Sequence, residues 1–220
     1  MQYLGGCSPY DFRRQIMTIL ENYPKCTVDV LMNFVSTHDI ERAITVFGGE
    51  PAADHGKDWA AERRLNPQQY ALGKAKLKCA MVLQFFLPGV PSIYYGDEAG
   101  LDGYGDPFNR RCYPWGHEDQ ELIDFTRELS RIRHLSKVFV DGRLKFLTLA
   151  DDYIVFARYR DHRRKAMVIA LNRSDHEVQF DVDKTPFTDR YTMFRTVHGE
   201  IEGNLVRIPP YGYVAVKVEL

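Results

Sequence analysis

A histidine and an aspartate stand side by side at His38-Asp39, directly after the apolar run Leu31, Met32, Phe34 and Val35. A carboxylate accepts hydrogen bonds and an imidazole can donate them, so the pair suits a hydroxyl, which does both. A second pair, Asp106 and Arg110, lies in the stretch from Leu87 to Gly116, a strand followed by a loop rich in Gly, Asp, Arg and aromatics. A carboxylate and a guanidinium at that spacing can hold adjacent hydroxyls, or each other. Each pair also has a plainer reading: Asp39 as the cap of a turn beginning at Ile40, and Asp106–Arg110 as a structural ion pair. Tyr104, Phe108, Tyr113 and Trp115 can stack on the flat face of a ligand or pin the loop in place. Asp97-Glu98 look like a carboxylate pair, but adjacent residues after a strand point different ways, which argues against shared catalysis. Glu41 and Arg42 can form a salt bridge or shape a cleft. His55 and His117 read as loop histidines, since no metal-ligand spacing accompanies them.

The elements that position these residues follow from periodicity and punctuation. Ser8 or Pro9 opens a helix with Phe12, Ile16, Ile19 and Leu20 on one face, and Tyr23-Pro24 stops it. A short buried strand is predicted at Val30 to Val35, ending in the His-Asp cluster. A helical turn follows through Ile44 to Phe47, ended by Gly48-Gly49, and Glu50 to Pro67 reads as a polar, irregular loop. Asn66 caps a helix with Pro67 at its first position. That helix runs to about Phe86, with an apolar surface too broad for a solvent-facing helix. Pro88-Gly89 breaks it, Ser92 to Tyr95 is the second predicted strand, and Glu118 to Leu135 is amphipathic through Leu122, Phe125, Leu129 and Ile132. Strands separated by helices require a parallel sheet with right-handed crossovers. Two parallel strands need neighbours on both edges, so this part reads as a piece of something larger.

From Val138 the texture changes to short alternating or β-branched runs: Phe146 to Leu149, Tyr153 to Tyr159, Lys165 to Leu171, Glu177 to Val182, Tyr191 to Phe194, Asn204 to Ile208 and Gly212 to Val218. Turn residues at Asp151-Asp152, Asp161-His162, Asn172-Arg173 and Pro209-Pro210 separate them. Such spacing predicts an antiparallel β-sandwich. The expected division is 1–137 and 138–220.

The chain has 220 residues, 45% hydrophobic and 27% charged, as in an ordinary globular protein. A net charge of −1 gives no long-range attraction to nucleic acid or an anionic membrane. The four cysteines, Cys7, Cys26, Cys79 and Cys112, form no CxxC pair and read as reduced thiols. The first residues lack a basic segment followed by an apolar one, and no apolar run approaches membrane-spanning length. A cytoplasmic location and no cofactor are the expectations.

Three segments carry a resemblance: FVSTHD at 34–39, PGVPSIYYGDE at 88–98 and GDPFNRRCYPW at 105–115. Together, in this order, they resemble the α-amylase family of glycoside hydrolases, at its neopullulanase and cyclomaltodextrinase end. The resemblance implies an α/β plus all-β chain: the last strands and helices of a (β/α)₈ barrel, followed by an antiparallel β-sandwich. It implies that Asp39 stabilises the transition state and that His38, Asp106 and Arg110 bind the sugar of an α-glucan oligosaccharide. In the family, a nucleophilic Asp and an acid/base Glu follow earlier barrel strands, and their motifs are not found in this chain. The expectation is therefore part of a retaining hydrolase of α-1,4 glucosidic bonds, with α-1,6 as a second linkage, in maltooligosaccharides, cyclomaltodextrins or pullulan. Such a part is silent alone and needs the amino-terminal barrel portion. The alternatives are a non-enzymatic sugar-binding or scaffold module, and self-association through the exposed strand edges and the apolar helix from Pro67 to Phe86.

Overall fold

The computed structural model describes residues 3–53, 55–160, 165–181 and 193–219. The first helix, α1 (Pro9–Asn22), begins where the Ser8 hydroxyl accepts the Tyr10 amide, with proline in the first turn. A short α2 (Lys25–Val28) follows, then the strand β1 (Met32–Asn33). Next come α3 (Ala43–Gly48) and α4 (Lys57–Glu62). The helix α5 (Pro67–Phe86) opens with a capping box in which Asn66 and Gln69 satisfy each other's backbone amides. β2 (Val90–Pro91) and α6 (Gln120–Leu135) complete this part, and α7 (Val138–Asp141) leads into the strands that follow.

Two strand expectations are corrected. β1 and β2 pair in parallel, but the register covers only Met32↔Val90 and Asn33↔Pro91, not Val30–Val35 and Ser92–Tyr95. Each strand has the other as its one neighbour among the described residues, so regular pairing ends where their short ladder ends. The strand is not buried as expected: Val30, Met32 and Phe34 are all more than half exposed. The pair is stitched from behind by α5. The Gln84 amide donates to the carbonyls of Asn33 (3.1 Å) and Ser92 (2.7 Å), and the Asn33 amide donates to Pro88 O (2.9 Å). Gly89, at φ +110°, is required here, because a Cβ would sit 2.6 Å from Leu31 O. The expected irregular loop after Gly49 also contains α4, which Trp59 anchors by stacking on His55 and meeting Tyr104 edge-on.

α3 lies against α5 through a reciprocal glycine contact. A Cβ on Gly48 would meet Gln69 O at 2.0 Å, and one on Gly73 would meet Ile44 O at 2.4 Å. This close approach fixes the direction of the chain leaving the His-Asp turn.

The remaining strands form a β-sandwich. A five-stranded antiparallel sheet contains β3 (Arg143–Leu149), β4 (Tyr153–Arg160), β5 (Lys165–Asn172), β7 (Met193–His198) and β10 (Tyr213–Glu219), in the order β3-β4-β5-β10-β7. A three-stranded sheet contains β6 (Val178–Asp181), β8 (Glu200–Glu202) and β9 (Leu205–Ile208), in the order β6-β9-β8. The short β8 has no counterpart among the expected strands. The Asp161-His162 turn and the expected strand residues Val182 and Tyr191 lie outside the described residues.

The five-stranded sheet is buried on both faces, which explains why its central strands read as nearly continuous apolar runs. Val155, Ala157, Val168, Val214 and Val216 face Val178, Phe180, Val206 and Ile208 of the smaller sheet. On the other face, Ile154, Phe156, Ile169 and Leu171 join Leu77, Met81, Phe86, Leu122, Leu129 and Ile132 of the helices in one continuous core. Arg158, fully buried, bridges the two parts by donating to Phe86 O (2.8 Å) and Gly142 O (2.9 Å). It answers an otherwise orphaned carbonyl at the end of α5.

Candidate active site

His38 and Asp39 occupy the turn that leaves β1, and both side chains are open to solvent, 65% and 70% exposed. His38 Nε2 lies 3.2 Å from Asp39 Oδ1. Among the described residues the Asp39 carboxylate accepts no backbone amide of the turn beginning at Ile40; the Asp39 amide donates to Thr37 Oγ1 at 3.2 Å, and the Ala43 amide at the start of α3 donates to the Ser36 hydroxyl at 2.9 Å.

The second pair comes from the loop after β2. Arg110 lies 3.2 Å from Asp106, and both are about half exposed. Arg110 also reaches across to the turn, donating from Nε to His38 O at 3.0 Å. The two sequence-predicted pairs thus share one solvent-facing surface, joined by a direct hydrogen bond.

What aims them is buried and came from residues the sequence reading did not single out as functional. Asn109 is fully buried, and its amide donates both to His38 O (2.9 Å) and to Ile40 O (2.7 Å), the carbonyls on either side of Asp39. Asn109 is itself held by Arg42, whose Nε donates to its backbone carbonyl at 2.7 Å. Arg42 is fully buried; its Nη1 donates to Tyr95 O (2.5 Å) and to Asp97 Oδ1 (3.2 Å). Its guanidinium lies over the rings of Tyr94 (4.1 Å) and Tyr95 (4.8 Å), cation–π contacts that compensate for lost hydration. Burial pushes the Asp97 carboxyl up to about 6, against the opposing pull of the Ser36 hydrogen bond and of Arg42. Arg42 Nη2, Asp97 Oδ2 and Asn109 Oδ1 have no hydrogen-bond partner among the described residues. Arg42 had a local signal as a residue able to form a salt bridge, but its partner lies 55 positions away. Asn109 had none beyond its place between Asp106 and Arg110.

Three of the four loop aromatics separate into two groups, and Phe108 is half-buried. Tyr104 is 3% exposed and packs against Trp59, so it pins the loop. Tyr113 and Trp115 pair with ring centroids 4.5 Å apart at the surface. Glu41, beside the turn, has its carboxyl pushed up by burial and lines a cleft of about 510 Å³ with Thr45, Gly49 and Glu50. Chemically, the surface offers two carboxylates, an imidazole and a guanidinium arranged as donor–acceptor pairs, a set suited to a polyhydroxyl ligand.

No protein-family model matches the chain. Among curated relatives, it is 36% identical over 195 residues to the amylopullulanase of Thermoanaerobacterium saccharolyticum, an alignment covering 83% of this chain and 15% of that protein. It is 29% identical over 219 residues to the cyclomaltodextrinase of Geobacillus thermopakistaniensis, covering 96% of this chain and 33% of that protein. The chain therefore spans a third or less of these relatives. Among solved structures, a debranching enzyme from Nostoc punctiforme shares the fold at a TM-score of 0.73 and 22% identity, over 97% of this chain and 39% of that one. By sequence the chain belongs to the α-amylase family of glycoside hydrolases, its relatives being named amylopullulanase, cyclomaltodextrinase and neopullulanase, and the solved structures share its fold.

Proposed function

We propose that the chain is the carboxyl-terminal portion of a retaining α-glucan hydrolase acting on α-1,4 glucosidic bonds, with α-1,6 as a second linkage. In this reading residues 1–137 are the last strands and helices of a (β/α)₈ barrel and 138–220 the trailing sandwich. The observation that carries it is the placement of both polar pairs beyond the carboxyl ends of two parallel strands, where barrel enzymes gather their chemistry. Asp39 stabilises the transition state through the sugar hydroxyls, and His38, Asp106 and Arg110 bind the substrate. The exposed apolar side chains Val30, Met32 and Phe34 suit packing by further barrel strands supplied from upstream.

Glycoside hydrolysis with retention needs two carboxyl groups flanking the scissile bond, one as nucleophile and one as acid and base. A transition-state stabiliser without them cannot cleave it, so the chain alone is silent. The test is reducing-sugar release from maltotriose and from a cyclomaltodextrin, by the chain alone and by the chain joined to an upstream barrel portion. Release only from the joined protein, abolished by Asp39→Asn, is the expected result. Release by the chain alone, lost in Asp39→Asn, would place the nucleophile among these residues and overturn the assignment. A second reading, self-association of this chain, is favoured by the same exposed strand face, and a monodisperse monomer in light scattering would remove it.

A further inference from the structure

The indole of Trp115 is 79% exposed, more than any other large apolar side chain among the described residues. A single exposed apolar side chain is ordinary on a protein surface, so what marks this one is the second ring held against it. The ring is backed by Tyr113, whose centroid lies 4.5 Å away with the two planes at 49°. The backbone beneath is well held. Tyr95 OH donates to Arg111 O at 2.9 Å, and the Arg111 guanidinium donates to Asp102 Oδ1 at 2.8 Å and to Arg63 O at 3.2 Å. Two short backbone bonds, Trp115 N to Tyr113 O (2.9 Å) and His117 N to Pro114 O (2.8 Å), tighten the turn that presents the indole. The platform is therefore pre-set, with little ordering left to lose on binding.

We infer that Trp115, backed by Tyr113, is a stacking platform for a glucosyl unit of an α-glucan chain, separate from the hydroxyl-binding pairs. The ligand class follows from the loop: Trp115 stands five residues after Arg110, on the segment that also carries Asp106. A pyranose presents polar hydroxyls at its rim and an apolar C–H face. The two pairs serve the rim, and an open indole serves the face. The platform holds sugar beyond the pairs and so favours longer oligosaccharides. This inference takes its ligand class from the proposed function, but it is local to one loop and is testable on the chain as it stands.

The chain has two tryptophans, Trp59 and Trp115, so labelling with 5-fluorotryptophan yields two fluorine resonances, which Trp115→Phe assigns. Titration with maltoheptaose is expected to shift the Trp115 resonance saturably and leave that of Trp59 in place. Cellotriose is expected to move neither. Calorimetric affinity for maltoheptaose is expected to fall at least about tenfold in Trp115→Ala, equivalent to about 1.4 kcal/mol. A Trp115 resonance unmoved by maltoheptaose overturns the inference. So does one moved equally by cellotriose, or one that shifts with protein concentration in the absence of sugar, which would mean that a second copy covers the ring. A sugar-dependent shift in a protein that releases no reducing sugar when joined to its barrel portion would keep the platform and fail the proposed activity; release without the shift would do the reverse.

Discussion

Replacing Asp97 by Asn probes the buried relay beneath the His-Asp turn through a pH dependence of definite sign. In the folded chain the Asp97 carboxyl titrates at about 6, against an ordinary value of 3.8, chiefly because burial disfavours its charged form. Below the ordinary value, both folded and unfolded chains hold the proton. Between the two values the folded chain holds it and the unfolded chain does not, so stability falls as pH rises through this window. Above about 6 the full cost is present: a rise of about two units at 1.36 kcal/mol each is about 3 kcal/mol. Asparagine keeps the shape and carries no such dependence. The stability of Asp97→Asn relative to the wild type should therefore rise by about 2–3 kcal/mol between pH 4 and pH 7, then level off. A constant offset sits beneath this rise, because Arg42 loses its carboxylate and keeps only the carbonyls of Asn109 and Tyr95. The assay is urea unfolding at a series of pH values, with both proteins extrapolated to water. A flat difference would mean that Asp97 is not desolvated as described. A difference that falls with pH would mean that Arg42 dominates and holds the carboxyl below its ordinary value.

Asn109→Leu should cost about 2–4 kcal/mol in urea unfolding, since it orphans two carbonyls that the amide now satisfies. Gly73→Ala should lower the thermal midpoint by an amount corresponding to about 1–3 kcal/mol, because the new methyl group meets Ile44 O. The sign is diagnostic, as the same change in an uncrowded helix interior is stabilising. Arg158→Met should destabilise by about 3 kcal/mol or more in the same thermal assay, by leaving Phe86 O and Gly142 O buried without a donor.

The parts legible in the sequence are those whose causes are local. Ser8 before Pro9, and Asn66 before Pro67, mark helix starts because a cap and its amide lie within one turn. The strands at 153–160, 165–172 and 213–219 were legible because a sheet covered on both faces writes itself as an apolar run. The lengths of β1 and β2 were not, because a ladder extends only as far as its partner does, and each has a single short partner here. Nor was α4, a polar segment whose placement depends on Trp59 meeting Tyr104, far along the chain. At the candidate site, residue types and the family resemblance pointed to His38, Asp39, Asp106 and Arg110. The bond from Arg42 to Asn109 spans 67 positions, and no periodicity or spacing rule reaches that far.

The division of labour between exposed and buried groups bears on how such a surface could be precise. The side chains of His38 and Asp39 are mostly in water, and ordering each on a ligand costs rotamer entropy of up to about 1 kcal/mol. Their backbone is where the freedom has already been removed. Asn109 clamps the carbonyls on both sides of Asp39, while Asn109 itself sits between Asp106 and Arg110 in the chain. The turn after one strand and the loop after the other are therefore one mechanical unit, and a displacement of either carries the other with it. Arg42 makes that unit stiff by tying Asn109 to Tyr95 and Asp97 at the root of the same loop. A hydroxyl-rich ligand that bridged Asp39 and Arg110 would then meet a spacing set by buried hydrogen bonds, instead of by two independent flexible segments. The advantage is entropic: the relative position of the two pairs is ordered before binding, leaving only side-chain rotamers to be ordered on contact.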